Sequence, residues 1–401
     1  MKRNARPRIL VAGAGIAGSL ITFGLADRDD IDLICVERVS ADEHMDAGTG
    51  LNMGPNGLKA LHQIMPERAQ TIIANSLPWE RWSISLTDGR VLMDLALSEV
   101  SDNPGIRIRW AELYALLREP IARRIVYGAE LKECGREEGG LSVGYVDKSD
   151  GSKKLIEGIE LLVGGDGRYS QVREHFFGAE PPNFLGVCLY RLLFPMGDDC
   201  PINDYGQWFN GSNRLLAFRV PGDFVYCAGS FPILTDGNVL YVQKQPAALR
   251  ASYMPSNGRP SAQAKYLIDS IERYADQIHW ARLQDGTVRY TGEPGVLLVG
   301  DAAHPMVPTL GQGATQAVED ACVVVDEVTR ALDFGEPLHR VPARVEQRRL
   351  DRAQFVVDFS REATDTMLSG ADPVAGALKK LEPAFQNRLV RLYRDAPAPQ
   401  S

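Results

Sequence analysis

Apolar positions along this chain recur in three blocks, each a short apolar run, a glycine-rich turn, then apolar residues three and four apart. The first block is RILVAGAGIAGSLITFGLA, where Ile9 to Ala12 predicts a buried strand and the stretch from Gly18 a helix. The second is IELLVGGDGRYSQVREHFFG, with a strand over Ile159 to Val163, a turn at Asp166 and Gly167, and a helix opened by Ser170 and Arg173. The third starts from the apolar run GVLLV and continues as GDAAHPMVPTLGQGATQAVEDA, Gly300 to Ala321. Pro305 and Pro308 each lack an N–H and restrict the residue before them, so no helix is expected between Asp301 and Pro308. Helical spacing resumes in ATQAVEDACVVVDEVTRAL. Strand, irregular loop and helix N-terminus in that order offer free backbone N–H groups to a group with anionic character.

Other segments alternate instead. RWSISLT, GVCLYRLLFP, NRLLAFRV and DFVYCAGS predict strands of one antiparallel sheet, and residues 336–401 read as largely helical with a polar tail, RDAPAPQS. The expected fold class is α/β, a Rossmann-like domain with an inserted antiparallel-sheet domain and C-terminal helices.

Composition narrows the partners. The 401 residues suffice for two packed domains, and the 38 glycines concentrate at turns. A net charge of −8 argues against nucleic acid or an anionic membrane surface as partner. No segment approaches the length of a membrane span, and the apolar run near the start is too short and Gly-rich for a signal peptide. Cys35, Cys134, Cys188, Cys200, Cys227 and Cys322 show no metal-like spacing and read as reduced thiols of a cytoplasmic protein, with no metal site expected.

The first block carries G-x-G-x-x-G as Gly13, Gly15 and Gly18, followed by a second strand, IDLICVE, that ends at Glu37. In a dinucleotide fingerprint the first glycine permits the tight turn and the second lets backbone approach a pyrophosphate. The third lets helix pack on strand, and the acid binds ribose hydroxyls. Ile16, Ala17 and Arg38 complete the candidate cofactor positions here. The motif alone does not separate NAD from FAD, while Glu37 disfavours a 2′-phosphate.

Taken together, these blocks, GTGLNMGPNGLKAL (Gly48 to Leu61) and VEQRRLDR (Val345 to Arg352) resemble the flavin-dependent aromatic hydroxylases related to para-hydroxybenzoate hydroxylase and salicylate hydroxylase. The resemblance covers roughly Ile9 to Arg352. It implies a GR2-type FAD domain in three pieces, about 1–75, 100–180 and 282–335. A substrate domain would come from 76–99 and 181–281, with 336–401 as the helical end. It also implies Asp301 on the ribityl chain of FAD, Pro308 beside the isoalloxazine, and Gly311, Gln312 and Gly313 at its N1/C2=O edge. Asp166 would lie near the pyrophosphate and Leu131 at the adenine. Two departures stand out: Asp46 replaces a basic residue before the second glycine pair, and the arginine of the RxxL helix start falls on Trp110, leaving Arg109 to take the role by a shift of one.

For the substrate, Arg214 and Tyr226 lie twelve apart on adjacent predicted strands, a spacing similar to that of 2-methyl-3-hydroxypyridine-5-carboxylate oxygenase. Asn52, Trp79 and Arg191 join them as candidate substrate-binding positions. Pro308, Thr309 and Tyr226 are the candidate catalytic positions. A strand arginine is ordinarily solvated and a tyrosine ordinarily core, so the alternative is plain packing. The implied activity is hydroxylation of a small aromatic or N-heteroaromatic, hydroxylated and carboxylated substrate by O₂. NAD(P)H would be a transient co-substrate, oxygen would pass through a flavin C4a-hydroperoxide, and the enzyme would be a monomer or homodimer. A flavoprotein of the same fold acting without oxygen insertion is the alternative. Flavin halogenases are disfavoured because W-x-W-x-I-P is missing.

Overall fold

In the computed structural model, which describes residues 6–41, 49–233 and 239–399, three sheets and a C-terminal helical layer surround one cavity. Asp46 and Gly48 fall outside the described residues.

The first sheet has the strand order β8 (Ile125–Tyr127), β2 (Asp32–Glu37), β1 (Arg8–Ala12), β11 (Lys153–Gly164), β10 (Gly140–Asp147), β9 (Ala129–Glu137), with β17 (Val296–Leu298) also on β11. Its centre is parallel: β1 pairs with β2 and with the C-terminal half of β11, which pairs in turn with β17. Residues Ile9 to Ala12 are fully buried, as a parallel strand covered on both faces requires. Helices α1 (Ile16–Gly24) and α8 (Gly313–Asp333) pack together beside this sheet. All three strand–turn–helix blocks therefore converge, with β1, β11 and β17 adjacent and their turns at one end of the sheet. That is where an open α/β sheet binds its ligand.

The second sheet has the order β16 (His279–Asp285), β12 (Asn183–Pro195), β15 (Phe224–Pro232), β14 (Asn213–Val220), β13 (Tyr205–Asn210), β5 (Arg81–Leu86), β6 (Val91–Ala96). It departs from the expected antiparallel sheet at one seam, where β13 and β5 run parallel. These strands are distant in sequence, so no hairpin dictates their direction. The sheet also runs past residue 281, because β16 continues to Asp285. A third, small sheet joins β3 (Gly50–Met53), β7 (Gly105–Arg109) and β4 (Leu77–Trp79), so the segment expected to belong to the substrate domain from residue 76 is divided between two sheets.

The remaining helices are α2 (Pro55–Ile64), α3 (Pro66–Ala74), α4 (Trp110–Arg118), α5 (Gln171–Phe177), α6 (Pro246–Tyr253), α7 (Ala262–Arg273), α9 (Val341–Glu362), α10 (Pro373–Lys379) and α11 (Pro383–Arg394). Between Asp301 and Pro308 there is no α-helix; short 3₁₀ turns at Gly300–Ala302 and Pro308–Leu310 flank the prolines. Among the described residues no helix is long and apolar enough to cross a membrane.

Candidate active site

The cavity, about 810 Å³, runs from the Gly-rich turn before α1, past the N-terminus of α8, to the inner face of the second sheet. At its first end Gly13 adopts φ +95°, and a Cβ on Gly18 would stand 1.9 Å from the Gly13 carbonyl oxygen. A side chain at Gly18 would therefore force helix and turn apart. Gly15, Ile16 and Ala17 line the wall, and a Cβ on Gly15 would meet nothing closer than 3.8 Å. Its backbone thus faces open space of the kind a pyrophosphate needs. Glu37 accepts the Ala14 N–H at 2.7 Å and the Val39 N–H at 3.1 Å, which places its carboxylate beside the turn. Arg38 is exposed just beyond it, and Leu131 has its side chain in the core on edge strand β9. Neither Arg38 nor Leu131 borders the cavity.

Midway, Gly300, Asp301, Pro308, Gly311 and Gly313 form the wall. Asp301 holds a 43 % exposed side chain, and its nearest charge is Arg168, Nε to Oδ2 at 3.9 Å. The first turn of α8 has no side-chain cap, which leaves its N–H groups to the cavity. Gln312 turns away: fully buried, it accepts from Asn56 and from Gln316, both at 3.1 Å. Gly311 has φ +64°, and a Cβ there would lie 2.4 Å from Asn52 Nδ2. Asn52, on β3, lines the cavity with that Nδ2 buried and unpartnered.

At the far end β14 and β15 are in register, Phe218 opposite Tyr226 and Leu216 opposite Ala228. Side chains alternate along a strand, so Arg214, Leu216, Tyr226 and Ala228 share the cavity face. Arg214 is only 3 % exposed, makes no ion pair among the described residues, and has Nε buried without a partner there. Burial pushes the Arg214 guanidinium down from its ordinary value, opposed by Tyr205 and Tyr226. Burial likewise raises the Tyr226 phenol, with Arg191 opposing, so Tyr226 is protonated at neutral pH. Arg191 of β12 also lines the cavity and has no hydrogen-bond or ionic partner among the described residues.

Four further expected positions lie away from the cavity lining. Trp79 is in the core, its indole N–H bonded to the Arg81 carbonyl at 2.8 Å, and it stacks behind Tyr205, which does line the cavity. Thr309 is 5 % exposed and its hydroxyl meets Thr364 at 2.8 Å, so it faces the helical layer and not the cavity. Arg109 pairs with Glu112 at 3.1 Å and lies over the Phe224 ring. Trp110 and Tyr114 take its place in the wall. The Asp166 carboxylate caps α5, accepting from Ser170 Oγ and from the N–H groups of Gln171 and Val172. Those contacts hold the turn, from which Gly165, Gly167 and Arg168 reach the cavity.

Other wall residues carry no local sequence signal. Arg168 is tied to the Gln284 and Met306 carbonyls at 3.0 and 3.1 Å; Tyr205 comes from β13, and Trp280 and Arg282 come from β16. Behind the first turn, Arg118 donates to the Ala14 carbonyl at 2.7 Å, with Nη1 buried and unpartnered. Among the wall residues Asp301 is the sole carboxylate against four arginines, so the cavity is electropositive within an acidic protein.

A glycine cradle, an uncapped helix start and a half-exposed acid between them fit an elongated dinucleotide, and the comparisons name it. The FAD binding domain family matches residues 252–360. The chain is 26 % identical to 6-hydroxynicotinate 3-monooxygenase of Bordetella bronchiseptica, over 90 % of this chain and 92 % of that one. It is 29 % identical to a 3-amino-4-hydroxybenzoate 2-monooxygenase of Streptomyces platensis, over 90 % and 88 %. The solved structure of HpxO from Klebsiella pneumoniae, complexed with FAD and uric acid, superposes with a TM-score of 0.81 at 19 % identity, covering 98 % of both chains. Fold and cavity define an FAD-binding flavoprotein. Over nine-tenths of its length the chain is similar to FAD-dependent aromatic monooxygenases.

Proposed function

We propose that the substrate is a small aromatic or N-heteroaromatic acid whose carboxylate pairs with Arg214. The observation that supports this is a guanidinium nearly out of solvent without an anion beside it. A buried charge of that kind is costly unless a partner arrives, and a planar fork matches a carboxylate in two hydrogen bonds. When bound, FAD supplies the reaction with O₂ activation after reduction by NAD(P)H, so that one oxygen atom enters an electron-rich ring.

The chain's own groups do the rest. Asp301 accepts from a ribityl hydroxyl, while Gly15 and the N-terminus of α8 present backbone N–H groups to the phosphates and to the ring edge that gains charge. Arg214 holds one end of the substrate. Protonated Tyr226 and the free Nδ2 of Asn52 donate to its polar substituents, which fixes the ring's orientation. Leu189, Leu216, Met306 and Pro308 supply apolar wall that keeps water from the reacting face. Arg191, unpaired and closer to solvent, is a second station for an anion. The 6-hydroxynicotinate and 3-amino-4-hydroxybenzoate handled by the relatives both carry an acid on a hydroxylated ring.

The test is a panel of hydroxylated benzoates and pyridine carboxylates, each beside its methyl ester, scored for stimulation of NAD(P)H oxidation. Acids should stimulate and their esters should not. Equal stimulation by the esters would remove Arg214 as the anchor.

A further inference from the structure

The helix segment VEQRRLDR touches no part of the cavity, yet it controls both walls of it from behind. Asp320, on α8 and fully buried, uses one oxygen to accept the Gly300 N–H at 2.8 Å and to meet His304 Nε2 at 2.7 Å. Those two contacts bracket the loop that carries Asp301. Its other oxygen accepts from Tyr290 at 2.7 Å and from Arg349 Nε of α9 at 2.8 Å. Glu319 next to it accepts from Arg349 Nη1 at 2.6 Å and from Arg352 at 2.6 and 2.7 Å. Glu319 also takes the Asn56 amide at 2.6 Å, four residues beyond Asn52 at the start of α2.

We infer that Arg349 and Asp320 are positioning residues for FAD: Arg349 fixes the Asp320 carboxylate, and Asp320 fixes the Gly300–His304 loop that aims Asp301 at the cofactor. Arg349 is the one side chain among those described that bonds both carboxylates, so it also sets the Asp301 wall against the Asn52 wall. Arg352 reaches Glu319 and the Leu392 carbonyl but not Asp320. The geometry supports positioning and not mere filling, because each oxygen of Asp320 accepts two directed bonds. One of its donors is a main-chain N–H directly preceding Asp301. The inference rests on the reading of Asp301 as a cofactor contact, and the test separates the two.

The dissociation constant of FAD is measured by quenching of flavin fluorescence for Asp301→Ala, Asp320→Asn and the double variant, with thermal unfolding of each apoprotein alongside. Asparagine keeps the shape but presents an N–H₂ where Gly300 and His304 need an acceptor. Each single variant should weaken FAD at least about tenfold, and the double should be no more than about threefold worse than the worse single, because both changes disable one contact. Multiplied effects, near a hundredfold, would show that Asp320 acts independently of Asp301 and would overturn the inference. An unchanged constant for Asp320→Asn would overturn it too. If Asp301→Ala alone leaves FAD unaffected, the reading of Asp301 fails and takes the inference with it. Should Asp320→Asn not fold, Arg349→Lys replaces it in the cycle: one ammonium cannot reproduce the bonds to both carboxylates, and the same non-additivity is expected.

Discussion

Arg214 combines burial with an unmet charge, and its removal has a specific signature. Arg214→Met takes away a charge-assisted pair in a nearly dry site, worth ~2–5 kcal/mol when one partner is truncated, so affinity for an aromatic acid should fall at least about thirtyfold. Flavin content should be unchanged, because β14 belongs to the covering sheet, and binding of the methyl ester should barely respond. Arg214→Lys should restore little if the contact is bidentate. A titration showing equal losses for acid and ester would make the residue structural and pass the anion to Arg191. Legibility differed among single residues for a physical reason. Arg214 and Tyr226 are readable because strand alternation and register carry both to one face. Asp301 stood out through the family resemblance, and the structure places it in the cavity wall. Trp79, Thr309, Arg109 and Asp166 lie outside the cavity lining, because each has a partner the chain pattern does not reveal: a carbonyl two residues on, a hydroxyl on the helical layer, a glutamate one turn away, a helix start.

Among the elements, the three strand–turn–helix blocks were legible because each joins a buried run to a turn with a fixed glycine requirement. The Gly18→Ala substitution tests the first of them. The added Cβ would collide with the Gly13 carbonyl, and relief of such overpacking costs ~1–3 kcal/mol, with this case at the upper end because the neighbour is backbone. A thermal melt showing a parent-like midpoint would contradict the close approach of α1. The pairing of α8 with α9 was not legible: VEQRRLDR stood out only through the family resemblance, and packing alone shows Arg349 fully buried between two carboxylates. That pairing has a pH signature. Burial pushes the Asp320 and Glu319 carboxyls up, but His304 and Arg349 on one, and Arg352 and Arg349 on the other, outweigh it and hold both below their ordinary values. The unfolded chain therefore binds more protons, so the stabilisation is complete above about pH 4.5 and declines as pH falls through the depressed native values. Unfolding midpoints taken from pH 7 downward should be level and then drop, more shallowly in Asp320→Asn. A steeper drop in that variant would reverse the assignment.

At the level of the whole molecule, the flavin side and the covering sheet meet in one cavity whose arginines outnumber its carboxylate, inside a chain of net charge −8. The division of residues 76–99 between two sheets was not legible, since β4 is three residues long and carries no periodicity. The cofactor end and the substrate end of that cavity are lined by different residues, so they can be disabled one at a time. Asp301→Ala should lower retained FAD at least about tenfold by leaving a ribityl hydroxyl unpartnered, while an intact second sheet keeps Arg214 in place. Gel filtration followed by absorbance at the flavin band measures that loss, and parent-like retention would displace Asp301 from the cofactor. The whole reading comes to a single mass measurement. The purified protein, loaded with FAD and given NAD(P)H and the aromatic acid that best stimulates its oxidation, is run under ¹⁸O₂ in ordinary water. One ¹⁸O atom should appear in each product molecule, as a ring hydroxyl. Product that carries only ¹⁶O, or an acid recovered unchanged while NAD(P)H and O₂ are consumed, would mean that this flavoprotein does not hydroxylate the ring it binds.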